Sequence, residues 1–163
     1  MLRVDQAGEY GATRIYAGQL AVLRANCPEA KLIARMASQE RRHLARFDQM
    51  VAERRVRPTA LQPLWNVAGF ALGAATALMS PKAALGCTDA VETEIDKHYS
   101  AQLKQLGTDD SELAADIAEF QADELEHRDT AREAGATGAF GYPVLTAAIR
   151  AGCRVAIALS KRI

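Results

Sequence analysis

Two Glu-x-x-His segments stand far apart in the chain, Glu40-Arg41-Arg42-His43 and Glu124-Leu125-Glu126-His127. Residues three apart on a helix are neighbours on one face, so each pair can grip a single ion. A further glutamate precedes each pair: Glu9 lies 31 residues before Glu40, and Glu92 lies 32 residues before Glu124. Four glutamates and two histidines on four helices form the ligand set of a carboxylate-bridged di-iron or di-manganese site inside a four-helix bundle. Carboxylates bridge two hard cations and tolerate changes of oxidation state. Imidazoles hold iron without the thiolates that would favour zinc or iron–sulfur clusters. Two divalent ions would also balance four buried negative charges, which would otherwise be very costly or take up protons. One Glu-x-x-His on a charged helix usually marks a solvated face. Two, each with its own upstream glutamate, mark a metal centre.

These residues need helices to carry them, and the composition supplies them. Alanine, leucine, glutamine, glutamate and arginine dominate, and no β-branched alternating run or hairpin signal occurs. At 163 residues, with 49% apolar content, the chain reads as a single all-α domain. Helical periodicity predicts a hairpin over 4–54, an apolar insert over 58–81, a second hairpin over 83–133 and a C-terminal helix over 143–161. In the second helix, Ile33, Met36, Leu44, Phe47 and Val51 form the apolar stripe.

The two hairpins repeat one another. A slide of 83 residues lays Ala7 over Ala90, Glu9 over Glu92, Tyr16 over Tyr99 and Gln19 over Gln102. A slide of 84 lays Glu40 over Glu124 and His43 over His127. The matched set includes every member of the metal-binding pattern. Metal-bound histidine usually passes its other N–H to a carboxylate or carbonyl. Asp123 is placed to reach His43, with Gln39 at the equivalent position of the repeat, and Asp5 is one turn before Glu9. His98 and Tyr99 fall about two turns beyond Glu92, off the ligand positions, where packing and surface hydrogen bonding are the plain expectation.

Twenty basic residues balance twenty acidic ones, so nothing points to nucleic acid. Cys27, Cys87 and Cys153 are odd in number with no CxxC spacing; neither a zinc site nor a disulfide framework is expected, and a reducing compartment is. The chain opens on a charged, patterned segment, so no leader peptide is expected at its start. No GxGxxG is present.

The insert is a different kind of segment. No charged residue occurs between Pro58 and Pro81, and its core, LWNVAGFALGAATALM, is short for a spanning helix. Arg54, Arg55 and Arg57 just before it suit anionic headgroups, and Trp65 suits an interface. Gly69 and Gly73 permit close helix packing. These features predict a membrane-surface or shallowly inserted helix, against the plainer reading of a buried core helix or protein contact. The amphipathic C-terminal helix, basic at its end, would flank the same surface. The first helix also carries Gly8, Gly11 and Gly18, each of which costs roughly 1 kcal/mol against alanine in a helix interior. Gly8 and Gly11 flank Glu9, whereas Val91 and Thr93 flank Glu92. Missing side chains there would open a way to Glu9 and make the site asymmetric.

The stretches RVDQAGEYGATRIYAGQLAVL, VRPTALQPLWNVAGFALGAATALM, CTDAVETEIDKHY, DELEH and AGCRVAIALSKRI closely resemble the demethoxyubiquinone hydroxylase family of ubiquinone biosynthesis. The resemblance covers nearly the whole chain. It implies a ferritin-like bundle with a di-iron centre, a membrane-interacting insert and an extra C-terminal helix. Carried over by position, it makes Glu9, Glu40, His43, Glu92, Glu124 and His127 the iron ligands. It further implies two iron ions cycling between Fe2+ and Fe3+, O2 as co-substrate and NADH as reductant, with His98 and Tyr99 assisting electron delivery. The implied reaction is hydroxylation of the ring of a polyprenyl demethoxyubiquinone-type intermediate by a monooxygenase. The implied setting is peripheral: the cytoplasmic face of a bacterial inner membrane, or the matrix face of the mitochondrial inner membrane in a eukaryote. Relatives in animals act with a lipid-binding partner protein, and a homo-oligomer is compatible with the bundle. The competing readings are another ferritin-like oxidase or peroxidase and an iron-storage protein. The uncharged, arginine-flanked insert is of little use to a soluble storage cage.

Overall fold

A computed structural model describes residues 1–163. Six α-helices and one short 3₁₀ turn make up the regular structure: α1 (Leu2–Val22), α2 (Pro28–Glu53), α3 (Gln62–Met79), α4 (Pro81–Leu106), α5 (Ser111–Glu133) and α6 (Tyr142–Ser160), with the turn at Ala136–Gly138 before α6. The outer bounds of the two hairpins and of the C-terminal helix match the periodicity to within two residues, and the helix of the insert fills 62–79 of the expected 58–81. Local chemistry sets the ends. Proline opens α2 and α4, where a missing N–H costs nothing. Ser80 Oγ accepts from the Ala83 N–H at 3.0 Å and Asp110 Oδ1 from the Leu113 N–H at 3.1 Å. A sulfur takes the same role before α2, where Cys27 Sγ accepts from Ala30. Gly107 ends α4 at a φ of +53°, a conformation that side chains rarely adopt.

Helices α1, α2, α4 and α5 form the bundle, and its core is in two parts. Tyr16, Ile33, Met36, Ala84, Leu85 and Ala131 pack at one end; Leu2, Phe47, Met50, Tyr99, Ile117 and Phe120 pack at the other. On every one of the four helices the Glu or Glu-x-x-His residues fall between these two clusters. The same comparison gives the directions: α1 runs antiparallel to α2, α4 antiparallel to α5, and α2 parallel to α4. A parallel connection needs a long crossover, and α3 is that crossover. The stripe of α2 has one difference from the expected one, since His43 takes the buried place and Leu44 lies half-buried beside it.

Helix α3 lies along α1 at very close range. A Cβ built on Gly18 would overlap the Phe70 carbonyl oxygen, and one built on Gly73 would overlap the Ile15 carbonyl oxygen. The Gly69/Gly73 pair therefore packs within the chain, against α1, and Gly18 is the matching concession from α1. Gly73, Thr76 and Ala77 are buried there, while Leu64, Val67, Leu78 and Met79 on the other face are exposed. The insert is thus covered on one side only. Helix α6 packs against α4 and leaves Val144 and Val155 exposed; by length and composition it could cross a membrane. The ion pair of Arg154 with Glu94 at 3.3 Å helps hold it against the bundle.

Candidate metal centre

The structure brings all six sequence-predicted residues into one buried layer. Ligand atoms of Glu9, Glu40, His43 and Glu124 lie within 4.8 Å of one another, and so do those of Glu40, Glu92, Glu124 and His127. Glu40 and Glu124 belong to both groups and so stand between the Glu9–His43 pair and the Glu92–His127 pair. Glu9 with His43 completes one group, and Glu92 with His127 completes the other. Both histidines point Nδ1 inward. His43 Nδ1 is 3.1 Å from Glu124 Oε1 and 3.5 Å from Glu9 Oε2; His127 Nδ1 is 3.2 Å from both Glu40 Oε1 and Glu124 Oε2.

The donor set fits two divalent cations. Glu9 Oε2, both Glu40 oxygens and Glu92 Oε2 are buried and accept no hydrogen bond. An ionised carboxylate left so in a protein interior costs several kcal/mol, on the order of the penalty for any unpaired buried ion. In the metal-free protein, burial and mutual repulsion push the Glu40, Glu92 and Glu124 carboxyls above their ordinary values. Burial alone would lower the His43 imidazole, but its hydrogen bond to Glu124 and the nearby charges of Glu9 and Glu124 outweigh it and raise it to about 10. Burial prevails at His127, which is lowered. Protons on these groups stand in for the positive charge that two metal ions would bring.

Around the layer the repeat becomes a cross-brace. Tyr16 on α1 donates its hydroxyl to Glu92 Oε1 on α4 at 2.8 Å, and Tyr99 on α4 donates to Glu9 Oε1 on α1. Each hairpin thus steadies the other hairpin's glutamate. Burial holds both phenols well above their ordinary range, so both remain donors. Spacing left Tyr99 to packing or surface hydrogen bonding, the resemblance gave it a part in electron delivery, and Tyr16 had no role, although the repeat had paired the two. The outer nitrogens follow the pattern predicted for the histidines: His43 Nε2 donates to Asp123 Oδ2 at 2.9 Å, and His127 Nε2 to Gln39 Oε1 at 3.0 Å. Asp5 does not touch a ligand. It is buried against His98 Nε2 at 2.9 Å and Gln102 Nε2 at 2.7 Å.

Beside this layer lies an apolar cavity of about 540 Å³ between α1, α3, α4 and α6. Its floor includes Ala7, Gly8, Gly11 and Ala12 around Glu9, and Val91 and Ile95 around Glu92. Trp65, Leu72, Ile149 and Cys153 form walls. A Cβ on Gly8 or Gly11 would meet nothing within 4 Å, so these two glycines are not packing requirements; they leave room in the cavity. Trp65 is a wall residue too, its indole N–H donated to Ser160 Oγ at 3.1 Å, which ties α3 to α6. Arg54 is committed to Asp110 and Glu112 on α5, leaving Arg55 and Arg57 as the exposed cations before the insert. All three cysteines are free, and burial pushes the Cys153 thiol up to about 12.

The family described as "Ubiquinone biosynthesis protein COQ7" matches residues 1–160. The chain is 54% identical to the 3-demethoxyubiquinol 3-hydroxylase of Rhodospirillum rubrum, covering 99% of this chain and 76% of that protein. It is 49% identical to the mitochondrial NADPH-dependent 3-demethoxyubiquinone 3-hydroxylase of Homo sapiens, covering 100% of this chain and 76% of the other. It is 44% identical to the mitochondrial 5-demethoxyubiquinone hydroxylase of Saccharomyces cerevisiae, covering 100% and 77%. The nucleotide in the human relative's name is NADPH, where the sequence led to an expectation of NADH.

Proposed function

The chain belongs to the COQ7 family of ubiquinone biosynthesis proteins, and from that premise we propose a di-iron monooxygenase acting on the ring of a polyprenyl demethoxyubiquinone-type lipid. The observation that carries this reading is the apolar cavity whose floor is made of the residues flanking Glu9 and Glu92. A cavity with apolar walls suits a quinone ring and the first units of an isoprenoid tail. Ferritin-like storage has no need of such a space beside its carboxylates.

Glu9, Glu40, His43, Glu92, Glu124 and His127 would hold two iron ions. Bound there, the irons would supply the site and the electrons for reduction of O2. The overall balance is that one oxygen atom enters a ring C–H bond as C–OH and the other leaves as water. The required two electrons and one proton come from a reduced nicotinamide nucleotide, which gives them up as hydride, and the second proton comes from water. The chain's own residues position and seal the site. Tyr16 and Tyr99 fix the two terminal glutamates, Asp123 and Gln39 fix the histidine rings, and Phe120 stacks on His43 with ring centroids 4.1 Å apart. The cavity walls exclude water and orient the ring. His98, held by Asp5 and next in the chain to Tyr99, suits the assisting part in electron delivery implied by the resemblance.

The membrane reading rests on α3 and α6. Leu64, Val67, Leu78, Val144 and Val155 form apolar faces open to the surroundings on the two helices that also wall the cavity. A lipid substrate would enter between them from the bilayer, and the whole chain would work as one unit. Eukaryotic relatives are named mitochondrial; for this chain we propose peripheral attachment to an inner membrane. The test is single turnover. Protein loaded with two irons and reduced anaerobically, mixed with a demethoxyubiquinone-type quinol and then 18O2, should yield a ring-hydroxylated product carrying one 18O. Iron oxidation without that product would contradict the hydroxylase reading.

A further inference from the structure

We propose that the two metal positions are inequivalent, the one served by Glu9 and His43 taking its ion first and more tightly, because His43 leans on a carboxylate where His127 leans on a carboxamide. The inference rests on the metal-centre reading above. Most of the surroundings are matched across the repeat and distinguish nothing. Each position has a terminal glutamate braced by a tyrosine from the other hairpin, and the two share Glu40 and Glu124. Both histidines present Nδ1 inward and donate from Nε2 at almost the same length, 2.9 Å to Asp123 and 3.0 Å to Gln39. What differs is the charge of the acceptor. A carboxylate drawing on the outer N–H makes the imidazole a stronger donor to metal, and a neutral amide does so less.

Arg42 does not cancel this difference. Its guanidinium also reaches Asp123, but its side chain is 55% exposed and it is shared with Glu119 at 3.3 Å. Water screens it, whereas His43 is fully buried. The tighter position is also the one whose terminal glutamate, Glu9, is flanked by the two glycines of the cavity floor. The ion next to the open floor is therefore the better held, and the ion at His127 is the first to be lost.

The experiment is an anaerobic titration of metal-free protein with 57Fe2+, followed by calorimetry and by Mössbauer spectra at one and two equivalents. Wild type should bind in two steps roughly tenfold or more apart, in line with the usual effect of such outer partners, with one ferrous doublet up to the first equivalent. Asp123→Asn keeps an acceptor of the same shape and should bring the steps together by weakening the first. Gln39→Glu should tighten the second, and it carries the test independently if Asp123→Asn does not fold. Unchanged circular-dichroism melting of the metal-free variants separates ligand tuning from a structural loss. Two equal steps in wild type, or unequal steps that neither substitution moves, would overturn the inequivalence alone. Fewer than two irons bound by wild type would overturn the metal-centre reading and this inference with it.

Discussion

The two long sides of the bundle are closed in opposite ways. Along α2 and α5, arginines of one helix meet acids of the other: Arg42 with Glu119 and Asp123, Arg46 with Glu112 and Asp116, Arg54 with Asp110 and Glu112. Along α1 and α4 the cover is α3 and α6, whose inner faces leave a cavity and whose outer faces leave apolar side chains exposed. Both sides contribute residues to the buried Glu/His layer, so the difference does not lie in that layer. It concerns access. The ionic ladder faces water and offers no passage to an apolar molecule, while the α3/α6 side offers an apolar one to the floor beside Glu9.

The comparison can be broken at its centre first. Replacing a bridging carboxylate, Glu40→Ala, should abolish binding of both irons and all turnover, whereas Glu119→Ala on the ladder should leave both intact; iron analysis beside the product assay reads the contrast. Next in size is Gly8→Val. The Cβ it adds meets nothing within 4 Å and the branched side chain occupies the cavity, so two irons per chain should remain while turnover falls about tenfold or more, the scale of a misplaced reactant. Equal loss of iron and turnover would make Gly8 a packing residue after all. A smaller effect is expected from the outer faces: Val67→Asp together with Val144→Asp should cut vesicle flotation severalfold and leave turnover in detergent unchanged.

The smallest effect sharpens the comparison by pH. Hydrogen bonds from Arg54 hold Asp110 below its ordinary range, and those from Arg46 hold Glu112 below its own. Depressed carboxyls lend stability above their unfolded values of 3.8 and 4.5, and it is lost as pH falls through the folded ones. The central carboxyls of the metal-free protein behave oppositely. Glu40, Glu92 and Glu124 are raised, so their contribution is complete below the unfolded value of 4.5 and is lost as pH rises through the folded ones. His43 acts in the same sense, its part present below 6.5 and lost through about 10, and only His127 opposes it. Metal-free protein should therefore melt at a lower temperature as pH rises from about 5 towards neutral, and iron should abolish or reverse that slope. A metal-free protein equally stable across that range would contradict the upward shift of Glu40, Glu92 and Glu124.

How much of this was legible depended on whether the controlling interaction was local. The ligands were readable because helix geometry alone puts residues three apart on one face, and the repeat supplied the remaining glutamates. The Asp123 and Gln39 contacts followed from the same register. The tyrosine brace was not read, because which hairpin a phenol reaches depends on how α1 and α4 are laid together. Arg54 looked free for headgroups, and its partner Asp110 is 56 residues away. Gly18 and Gly73 each made sense only once the other was beside it. Nor could periodicity say that α3 and α6 would enclose a cavity, since the same amphipathic pattern serves a helix packed tightly against its neighbours.

The central claim, that the metal-ligand layer is reached from the α3/α6 side, has a direct test in photo-crosslinking. A demethoxyubiquinone-type quinone bearing a diazirine on the first isoprene unit, irradiated with iron-loaded protein in vesicles, should label cavity walls such as Trp65, Leu72, Ile149 and Cys153, as mass spectrometry would show. Labelling confined to exposed residues of α2 and α5, with the cavity walls unmodified, would contradict the account.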